Sequence, residues 1–544
     1  MQVNRTKLTL FSRSWLLGVV LFSICLVPLR AQDCGFSPVF YNQTISQIPW
    51  DDFEPFSLPF TLIYGGPIEN GNVAAPLTHG FSHIGNTNFL GSVPRDQRAI
   101  IYYGTAITGT NQPWESIRSP WENDLSLYQQ KWQNDFRNLA TATGSTTDIA
   151  ADILVFDIER NWRFDFEIAQ LRANPLISAT YRNLGEQEFL SSYKRDMRTL
   201  YAQSVQQLLS YQPVGTLKVG SYADSPIVNT FDNIQGRSWT SWQSDNSSLN
   251  YITTDLNRNV GGAFYDQLTM ANPSAYYYYD YPHPFAGEYL SYLLFQIEAN
   301  KSWTDKPVIP FVWLRYSFNQ DVVDRPIKPW MAEATAIFPF FSGANGLWLW
   351  ENPTKLGETD LAANYGAFLS GMRRLAFFKR FFEDDVKLVQ EVSARDYNEN
   401  KMPIWRGAVK GNEILIAAHN PFAKSETEQV MLEVRYGDWS KNITLTGFEN
   451  HLCAYDMNDK TSILQTFPNP TSGSLKLRFD SGAYTTASVR LIGPAGQDID
   501  QFQLAFLENT SVTEEIVLPT TGYSWIFLEM TLGDSRIIKR IAQD

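Results

Sequence analysis

A buried strand that ends in two carboxylates is the feature that most constrains how this chain folds. Residues 153–156 read Ile-Leu-Val-Phe, and such an apolar run predicts a strand buried on both faces. Asp157 and Glu159 follow at its C-terminal end and share one face, because side chains alternate along a strand. Two like charges so close together raise the pKa of at least one carboxyl, which can then act as a general acid. A helix N-cap aspartate followed by a solvated glutamate is the alternative interpretation.

Strands alternate with helices through the first two thirds of the chain. Apolar runs predict strands at 60–64, 98–103, 153–159, 217–222, 275–279, 308–314 and 346–350. Apolar residues at helical spacing predict helices at 125–136, 186–211, 284–300, 329–341 and 360–382. This order predicts a parallel α/β fold, and its length of about 330 residues favours a (β/α) TIM-type barrel over an open sheet.

Chemistry in such a barrel lies at the C-terminal ends of the strands. Six polar or aromatic side chains fall at or near these ends, namely Asp157, Glu159, Tyr222, Tyr276, Arg315 and Trp350. Their convergence is the main indication, from the residues alone, that the protein is an enzyme. We expect one of Trp348 and Trp350 to face inward and the other to pack against helices. No glycine-rich phosphate loop follows the first strand, and we expect no cofactor.

The N-terminus has the three parts of a secretory signal. Arg5, Lys7 and Arg13 precede the apolar run 15–27, and Ala31 offers a small residue for cleavage. We therefore expect residues 1–31 to be a signal peptide and residues 32–390 to form the barrel. The apolar run is short for a membrane span, and no other stretch approaches about 18 apolar residues, so no transmembrane anchor is expected.

The negative net charge of the chain opposes binding of polyanionic partners. Residues 1–31 carry four basic and no acidic residues, which leaves 40 basic and 57 acidic residues, a net charge of −17. Such a balance opposes binding of nucleic acid and other polyanions. Export would allow Cys34 and Cys453 to form a disulfide. Only His79 and His83 have metal-ligand spacing, and the Gly and Ser residues around them predict a loop, so we expect no metal site.

Short strands dominate the chain from residue 391 onward. Residues 404–418 predict a hairpin that turns at 410–412, and alternating strands follow at 429–436 and 442–446. We expect an accessory β-sandwich over 391–464, which covers barrel surface; sugar binding is the alternative role.

The last 80 residues form a third unit. They contain, in this order, Pro-Asn-Pro-Thr-Ser-Gly from residue 468, a predicted strand at 487–492, Gly496, Leu-Pro-Thr-Thr-Gly-Tyr from residue 518 and two basic residues at 539–540. This order resembles the C-terminal sorting domain of the type IX secretion system, which we place at 465–544 as a β-sandwich. The resemblance implies passage of a Gram-negative outer membrane by the type IX machinery, then release or attachment at the cell surface.

The barrel resembles the hyaluronidase-type glycoside hydrolases. Their strand ending in Asp-Trp-Glu, with a Trp-Arg pair after it, is similar to residues 155–163, which read Val-Phe-Asp-Ile-Glu-Arg-Asn-Trp-Arg. Further matches follow in the same order at 219–226, 273–276, 310–316 and 342–350. The family's cysteine framework is absent, and Ile158 stands where the family has tryptophan.

This resemblance implies cleavage of an N-acetylhexosamine-containing glycan by a substrate-assisted, retaining mechanism. Glu159 becomes the general acid/base and Asp157 the residue that orients the acetamido group. Tyr222 and Tyr276 are the further catalytic candidates, and the substrate-binding candidates are Trp350, Arg315, Asp224 and Trp162. The net charge of −17 counts against polyanionic hyaluronan as the substrate.

Other interpretations stay open at the level of sequence. Glu333 or Glu351 could supply a second carboxylate for a conventional glycosidase acting on another sugar. The barrel could instead bind glycans without cleaving them, if salt bridges block Glu159 or Asp157. It could also be a scaffold in a surface protein, in which case no aromatic-lined cleft is expected at Trp350.

Overall fold

The computed structural model describes residues 32–106, 112–115, 119–160, 163–212, 217–228, 249–319, 321–384, 386–458, 464–467, 471, 473–481, 484–494, 497–508, 510–520, 522–533 and 535–543. The predicted signal peptide and Trp162 lie outside these residues.

Parallel strands and helices make up the first two thirds of the described chain. The strands are β1 (Gln32–Asp33), β2 (Thr61–Tyr64), β3 (His83–Ile84), β4 (Ala99–Tyr102), β5 (Ile153–Phe156), β6 (Lys218–Ser221), β7 (Phe311–Trp313) and β8 (Gly346–Trp350). The helices are α1 (Ala74–Thr78), α2 (Ser126–Ala142), α3 (Asp165–Gln170), α4 (Ala179–Arg182), α5 (Glu186–Ser210), α6 (Tyr289–Lys301), α7 (Pro329–Phe341) and α8 (Ala362–Phe377).

The parallel strands form two sheets, which have the orders β3-β2-β8-β7 and β4-β5-β6. Isolated parallel bridges connect them at both edges. Ile84 bridges to Arg98 just before β4, and beyond β6 the segment 271–274 is bridged to Tyr222 on one side and to Phe311 on the other. The predicted parallel α/β fold is therefore confirmed. Within the described residues, however, the regular strands do not close into one continuous barrel.

Two local predictions are wrong. The tyrosine-rich run 275–279 is not a regular strand; it has a single parallel bridge, between Tyr277 and Tyr316. The Tyr277 hydroxyl lies 2.7 Å from each of two carbonyl oxygens of the following turn. The stretch with His79 and His83 is not only loop. His79 directly follows α1, residues 80–82 are loop as predicted, and His83 begins the two-residue strand β3, which pairs with β2.

Side-chain alternation organises the space between the two sheets. One cluster of buried residues collects inward-facing positions of five strands, including Ile63, Ile101, Ile153, Val155 and Trp348. The intervening positions of the same strands pack outward against helices, as Leu154 and Phe156 do. Trp350 has the same parity as Trp348 and joins the inner cluster, so the expectation that the two tryptophans face opposite ways is wrong.

An antiparallel sheet packs against the helices. This part of the chain contains the helix α9 (Ala394–Asn400) and six strands, β9 (Lys387–Val389), β10 (Ile404–Lys410), β11 (Glu413–His419), β12 (Gln429–Tyr436), β13 (Trp439–Thr446) and β14 (Asn450–Asp456). Five strands in the order β1-β14-β11-β10-β9 form the sheet, and β12 pairs with β13. The N-terminal strand β1 thus completes a sheet more than 350 residues away in sequence.

Cys34 and Cys453 form a disulfide at this edge, next to the β1–β14 pairing. Buried charged groups connect the sheet to the helices. Arg406 of β10 pairs with Glu298 of α6 at 2.5 Å. Arg374 of α8 pairs with Glu333 of α7 at 2.6 Å and donates to the Asn450 carbonyl of β14 at 3.0 Å. The Asn450 side chain donates to Glu333 at 2.9 Å. Buried charges of this kind need such partners, so the contact between the two parts is specific.

The C-terminal part has its own hydrophobic core. Its strands are β15 (Gln465–Phe467), β16 (Ser474–Asp480), β17 (Thr486–Ile492), β18 (Asp498–Ala505), β19 (Ser511–Val517), β20 (Trp525–Leu532) and β21 (Ser535–Ala542). They form antiparallel sheets of three and four strands, in the orders β15-β16-β19 and β18-β17-β20-β21. Leu475, Leu477, Val489, Ile526 and Leu528 are buried in the core of this unit. Across the described residues, no helix is long and apolar enough to cross a membrane.

Candidate active site

The register of β5 positions the two carboxylates. Ile153 and Val155 point into the inner cluster, and Asp157 and Glu159 continue the same parity beyond the end of the strand. The backbone N–H of Asp157 donates to the Tyr102 carbonyl at 3.2 Å, which extends the pairing with β4 past the last strand residue. Both carboxylates line a cleft at this end of the sheets. The predicted same-face arrangement is what the structure has.

The cleft has a volume of about 480 Å³. Its walls come from the segments that follow β4, β5, β6, β7 and β8. Aromatic side chains make up much of the lining, namely Tyr103, Tyr222, Tyr276, Phe311, Trp313, Phe318 and Trp350. Polar groups are few and include Asp157, Glu159 and Asp324. A concave, mostly apolar site with a few convergent polar groups is typical of small-molecule and glycan binding.

Burial changes the acidity of the carboxylate pair. It raises the pKa of Asp157 well above its ordinary value, and the neighbouring charges of Glu159 and Asp224 raise that pKa further. Burial also raises the pKa of Glu159. The pair therefore retains a proton at a higher pH than isolated carboxyls would, which is the property a general acid needs.

Neither carboxylate is blocked by a salt bridge to any residue that the structure describes. Arg160, the base next to Glu159 in sequence, is directed elsewhere. Its Nη1 donates to the Tyr251 hydroxyl at 3.0 Å, and its guanidinium lies over the rings of Tyr251 and Tyr201 at 4.9 and 5.4 Å. Both carboxylates are thus available to a bound molecule.

Aromatic residues that line the cleft contact one another and form a connected wall. Tyr276 stacks on Trp350, with ring centroids 5.4 Å apart, and Trp313 meets Trp350 edge-on at 5.0 Å. The Tyr222 hydroxyl donates to the Ser274 Oγ at 3.0 Å and is hydrogen-bonded to Tyr276. The rings of Tyr222 and Tyr276 line the cleft as predicted, and part of their hydrogen-bonding capacity serves the protein itself.

Two predicted substrate-binding residues do not line the cleft. The Arg315 side chain is only 1% exposed, and it binds Asp360 through both terminal nitrogens at 2.7 Å and Glu351 through Nε at 3.2 Å. Asp224 is buried and accepts from the Ser221 hydroxyl at 2.9 Å. Burial raises the pKa of Asp224 to about 6, against the opposing effect of the Arg160 charge. Direct contact with a substrate is therefore closed to both in this arrangement, because each is occupied beneath the surface. The third, Trp162, lies outside the described residues.

The reserve carboxylates Glu333 and Glu351 are also engaged. Glu333 pairs with Arg374 and Asn450 at the contact with the antiparallel sheet, away from the cleft lining. Glu351 is buried behind the wall, where it accepts from the Trp313 Nε1 at 3.0 Å and from the Asn352 N–H at 2.7 Å. Neither lines the cleft beside Glu159.

Several lining residues were missed from the sequence. Tyr103 directly follows β4, so the rule that strand ends carry the site could have identified it. Trp313 ends β7 and has the same signal. Phe318 and Asp324 belong to an irregular loop, where no periodicity reports which way a side chain points. The described residues hold no cluster of His, Cys, Asp and Glu that could bind a metal ion.

Comparisons with known proteins give matches to solved structures alone. No protein-family model matches the chain, and no curated protein matches it either. Among solved structures, bee venom hyaluronidase is similar with 15% identity and a TM-score of 0.38, over 58% of this chain and 99% of that one. Its complex with a hyaluronic acid tetramer matches with 14% identity and a TM-score of 0.36, over 60% and 96%.

An engineered protein matches 90% of this chain and 94% of its own, with 11% identity and a TM-score of 0.26. At TM-scores this low, none of these likenesses supports a conclusion about activity or substrate. The function of this chain is therefore argued from the geometry of its own cleft.

Proposed function

We propose that this protein is a secreted glycoside hydrolase that cleaves a glycan containing N-acetylhexosamine. One observation supports the proposal most: the buried Asp157 and the half-buried Glu159 stand on one face and line an aromatic-rich cleft, and no described base pairs with either. Burying unpaired carboxyls costs stability, and such an arrangement is typical of catalytic groups.

The proposed fold is a TIM-type barrel. Eight parallel segments follow one another around the cleft through regular pairings and isolated bridges, namely 61–64, 83–84, 99–102, 153–156, 218–221, 271–274, 308–313 and 346–350. The carboxylates lie at the C-terminal end of the fourth segment, the end at which barrel enzymes bind their substrates.

Glu159 acts as the general acid/base in the proposed reaction. Its proton passes to the glycosidic oxygen as the bond from that oxygen to the anomeric carbon breaks. The carbonyl oxygen of the substrate's own 2-acetamido group bonds to the anomeric carbon from the opposite face, which gives a cyclic oxazolinium. Water then attacks the same carbon from the side that the leaving group vacated, the bond from that carbon to the acetamido oxygen breaks, and the water proton passes to Glu159, so the configuration is retained.

Asp157 orients the acetamido group by accepting a hydrogen bond from its N–H. The raised pKa of both carboxyls keeps a proton on the pair at a pH at which isolated carboxyls would have lost it, and in the proposed reaction the proton leaves the pair through Glu159. Tyr222 and Tyr276 line the adjacent wall, and Trp350 offers a flat surface on which a sugar ring can stack.

The competing interpretations fit the cleft less well. For a binding protein without activity we expect a salt bridge that blocks Asp157 or Glu159, and no described basic residue forms one. A scaffold needs no aromatic cleft. A two-carboxylate mechanism needs a nucleophile opposite Glu159, and both reserve carboxylates are engaged elsewhere.

Hydrolysis assays test the proposal. The mature chain, Glu159→Gln and the exposed helix variant Glu188→Gln are compared on N-acetylhexosamine polymers and on neutral glycans without the acetamido group. We expect cleavage of an acetamido glycan, loss of at least about 10²-fold in Glu159→Gln, full activity in Glu188→Gln and inhibition by a thiazoline mimic of the intermediate. Cleavage only of glycans that lack the acetamido group would rule out substrate assistance.

We also propose that the protein is exported from the cell. The signal at 1–31 and the sorting-domain resemblance at 465–544 support secretion through the type IX machinery of a Gram-negative bacterium to the medium or the cell surface. Deleting 465–544 should retain the protein in the periplasm, which fractionation of the producing cells would measure.

A further inference from the structure

The charges that line the cleft all have one sign. Three of the lining side chains carry carboxyls, namely Asp157, Glu159 and Asp324. None of the described lining residues is Lys, Arg or His. The field inside a cleft is set mainly by the charges on its walls, so this cleft repels anions at the place where a sugar would bind.

The bases that neighbour the lining residues in sequence contact other side chains of the protein. The Lys355 Nζ lies 3.1 Å from the Glu358 Oε1 and 3.5 Å from the Asp324 Oδ2. Arg325 lies 3.5 Å from Asp280.

Arg315 is enclosed by Glu351 and Asp360, and Arg160 lies on tyrosine rings behind the carboxylates. These four are the described bases within two residues of a lining position. None of them lines the cleft.

Aromatic surface takes the place of charge on the remaining walls. Phe318 lies at the rim and is 61% exposed, and Trp350 and Tyr276 continue the wall inward. Rings of this kind bind the apolar face of a sugar without regard to ionic groups.

We infer that the cleft selects uncharged N-acetylhexosamine glycans and rejects those that carry uronic acids or sulfate groups. This inference rests on the proposed function, because it names the substrate class of the same site. A uronate in the cleft would meet three carboxyl side chains and no lining cation, and of the three only Asp324 has a described cation nearby, Lys355 at 3.5 Å. Repulsion between like charges is strong where water is excluded.

A matched pair of substrates isolates the effect of charge. Hyaluronan oligosaccharides and their carboxyl-reduced derivatives have the same linkages and length but differ in charge, and oligomers of N-acetylglucosamine serve as a second uncharged probe. We expect kcat/KM of the mature full chain to be about tenfold or more higher for the reduced oligosaccharide than for its parent. Equal or faster cleavage of the parent would overturn the inference.

Binding separates failure of the inference from failure of the proposed function. If no probe is cleaved, the hydrolase proposal fails, and quenching of tryptophan fluorescence by the same oligosaccharides tests selectivity directly. Tighter binding of the uncharged probes supports the inference; equal binding, or binding of none, overturns it.

Asp324→Asn provides the matched variant, because it removes one lining charge and leaves Lys355 less neutralised. Asn also suits the left-handed conformation of this residue, with φ of 65°. The preference for the reduced oligosaccharide should fall about threefold or more in Asp324→Asn and stay unchanged in Asp321→Asn, an exposed position of the same loop. An unchanged preference in both variants would count against the inference.

Discussion

The indole nitrogen of Trp350 donates a hydrogen bond of 2.9 Å to the hydroxyl of Tyr103. Trp350 ends β8, and Tyr103 directly follows β4; these two strands belong to different parallel sheets. Their contact therefore joins the two sheets across the mouth of the cleft and fixes the tilt of the ring on which we propose that a sugar stacks.

Tyr103→Phe should weaken substrate binding with little effect on the chemical step. The variant keeps the ring and removes the acceptor of the Trp350 N–H, a loss of about 1 kcal/mol, which corresponds to an increase in KM of about fivefold. We expect kcat to stay within about twofold of the wild type. Steady-state kinetics on the cleaved glycan would measure both. Tyr265→Phe, whose hydroxyl contacts Thr304 outside the cleft lining, is the control and should leave both constants unchanged.

Activity should fall with rising pH at a value above 4.5, the ordinary pKa of a glutamate. Glu159 must be protonated to donate, and burial raises its pKa, so activity persists below the raised pKa and disappears above it. The profile of kcat/KM between about pH 3 and pH 9 would report the apparent pKa values of the carboxylate pair. A loss of activity centred at or below pH 4.5 would contradict the assignment of Glu159 as the acid.

Asp157→Asn should stabilise the protein at neutral pH while reducing its activity. The pKa of Asp157 is raised in the folded state, so the wild type loses stability as the pH rises from the unfolded pKa through the folded one. Asparagine does not titrate, and the variant avoids this loss. We expect a Tm higher by about 2 °C or more at pH 7.5 and no gain at pH 3.5. A gain that is the same at both pH values would point to packing rather than charge.

Arg315→Met should destabilise the wall of the cleft. The change leaves Glu351 buried without its cation, which costs about 3–5 kcal/mol of the free energy of unfolding. Adding Glu351→Gln removes the uncompensated charge and keeps an acceptor for the Trp313 N–H, so the double variant should recover part of the loss. Urea unfolding of the single and double variants would measure the difference. If the two losses were simply additive, the two residues would not be coupled.

Reduction of the Cys34–Cys453 disulfide should loosen the N-terminal strand. The bond links residues 419 positions apart and lies beside the pairing of β1 with β14. Cys34→Ser, Cys453→Ser and reduction of the wild type should each lower the free energy of unfolding by about 2–5 kcal/mol. Thermal unfolding with and without reductant would test this. The reductant should have no further effect on either serine variant, and a wild type insensitive to it would contradict the prediction.

Local pattern was enough for much of the fold and for the central pair of the site. The apolar run 153–156 identified a buried strand, and the two-residue period of a strand placed Asp157 and Glu159 on one face. The helix predicted at 329–341 is the observed α7, and the strand predicted at 346–350 is the observed β8. These features depend on residues close together in sequence, so their spacing is enough to define them.

Tertiary structure decided which side chains reach the cleft. Arg315 and Asp224 stand near strand ends like the lining residues, yet both are buried beneath the surface. Arg315 binds Asp360, which is 45 residues away, and Asp224 accepts from Ser221, three residues away. Tyr277 belongs to a run with strong strand propensity, yet this run has a single parallel bridge and forms no regular strand. The Tyr277 hydroxyl donates to a carbonyl of the following turn. Packing and hydrogen bonding between distant segments outweigh local preference at such positions, because a buried polar group must find a partner wherever the fold supplies one.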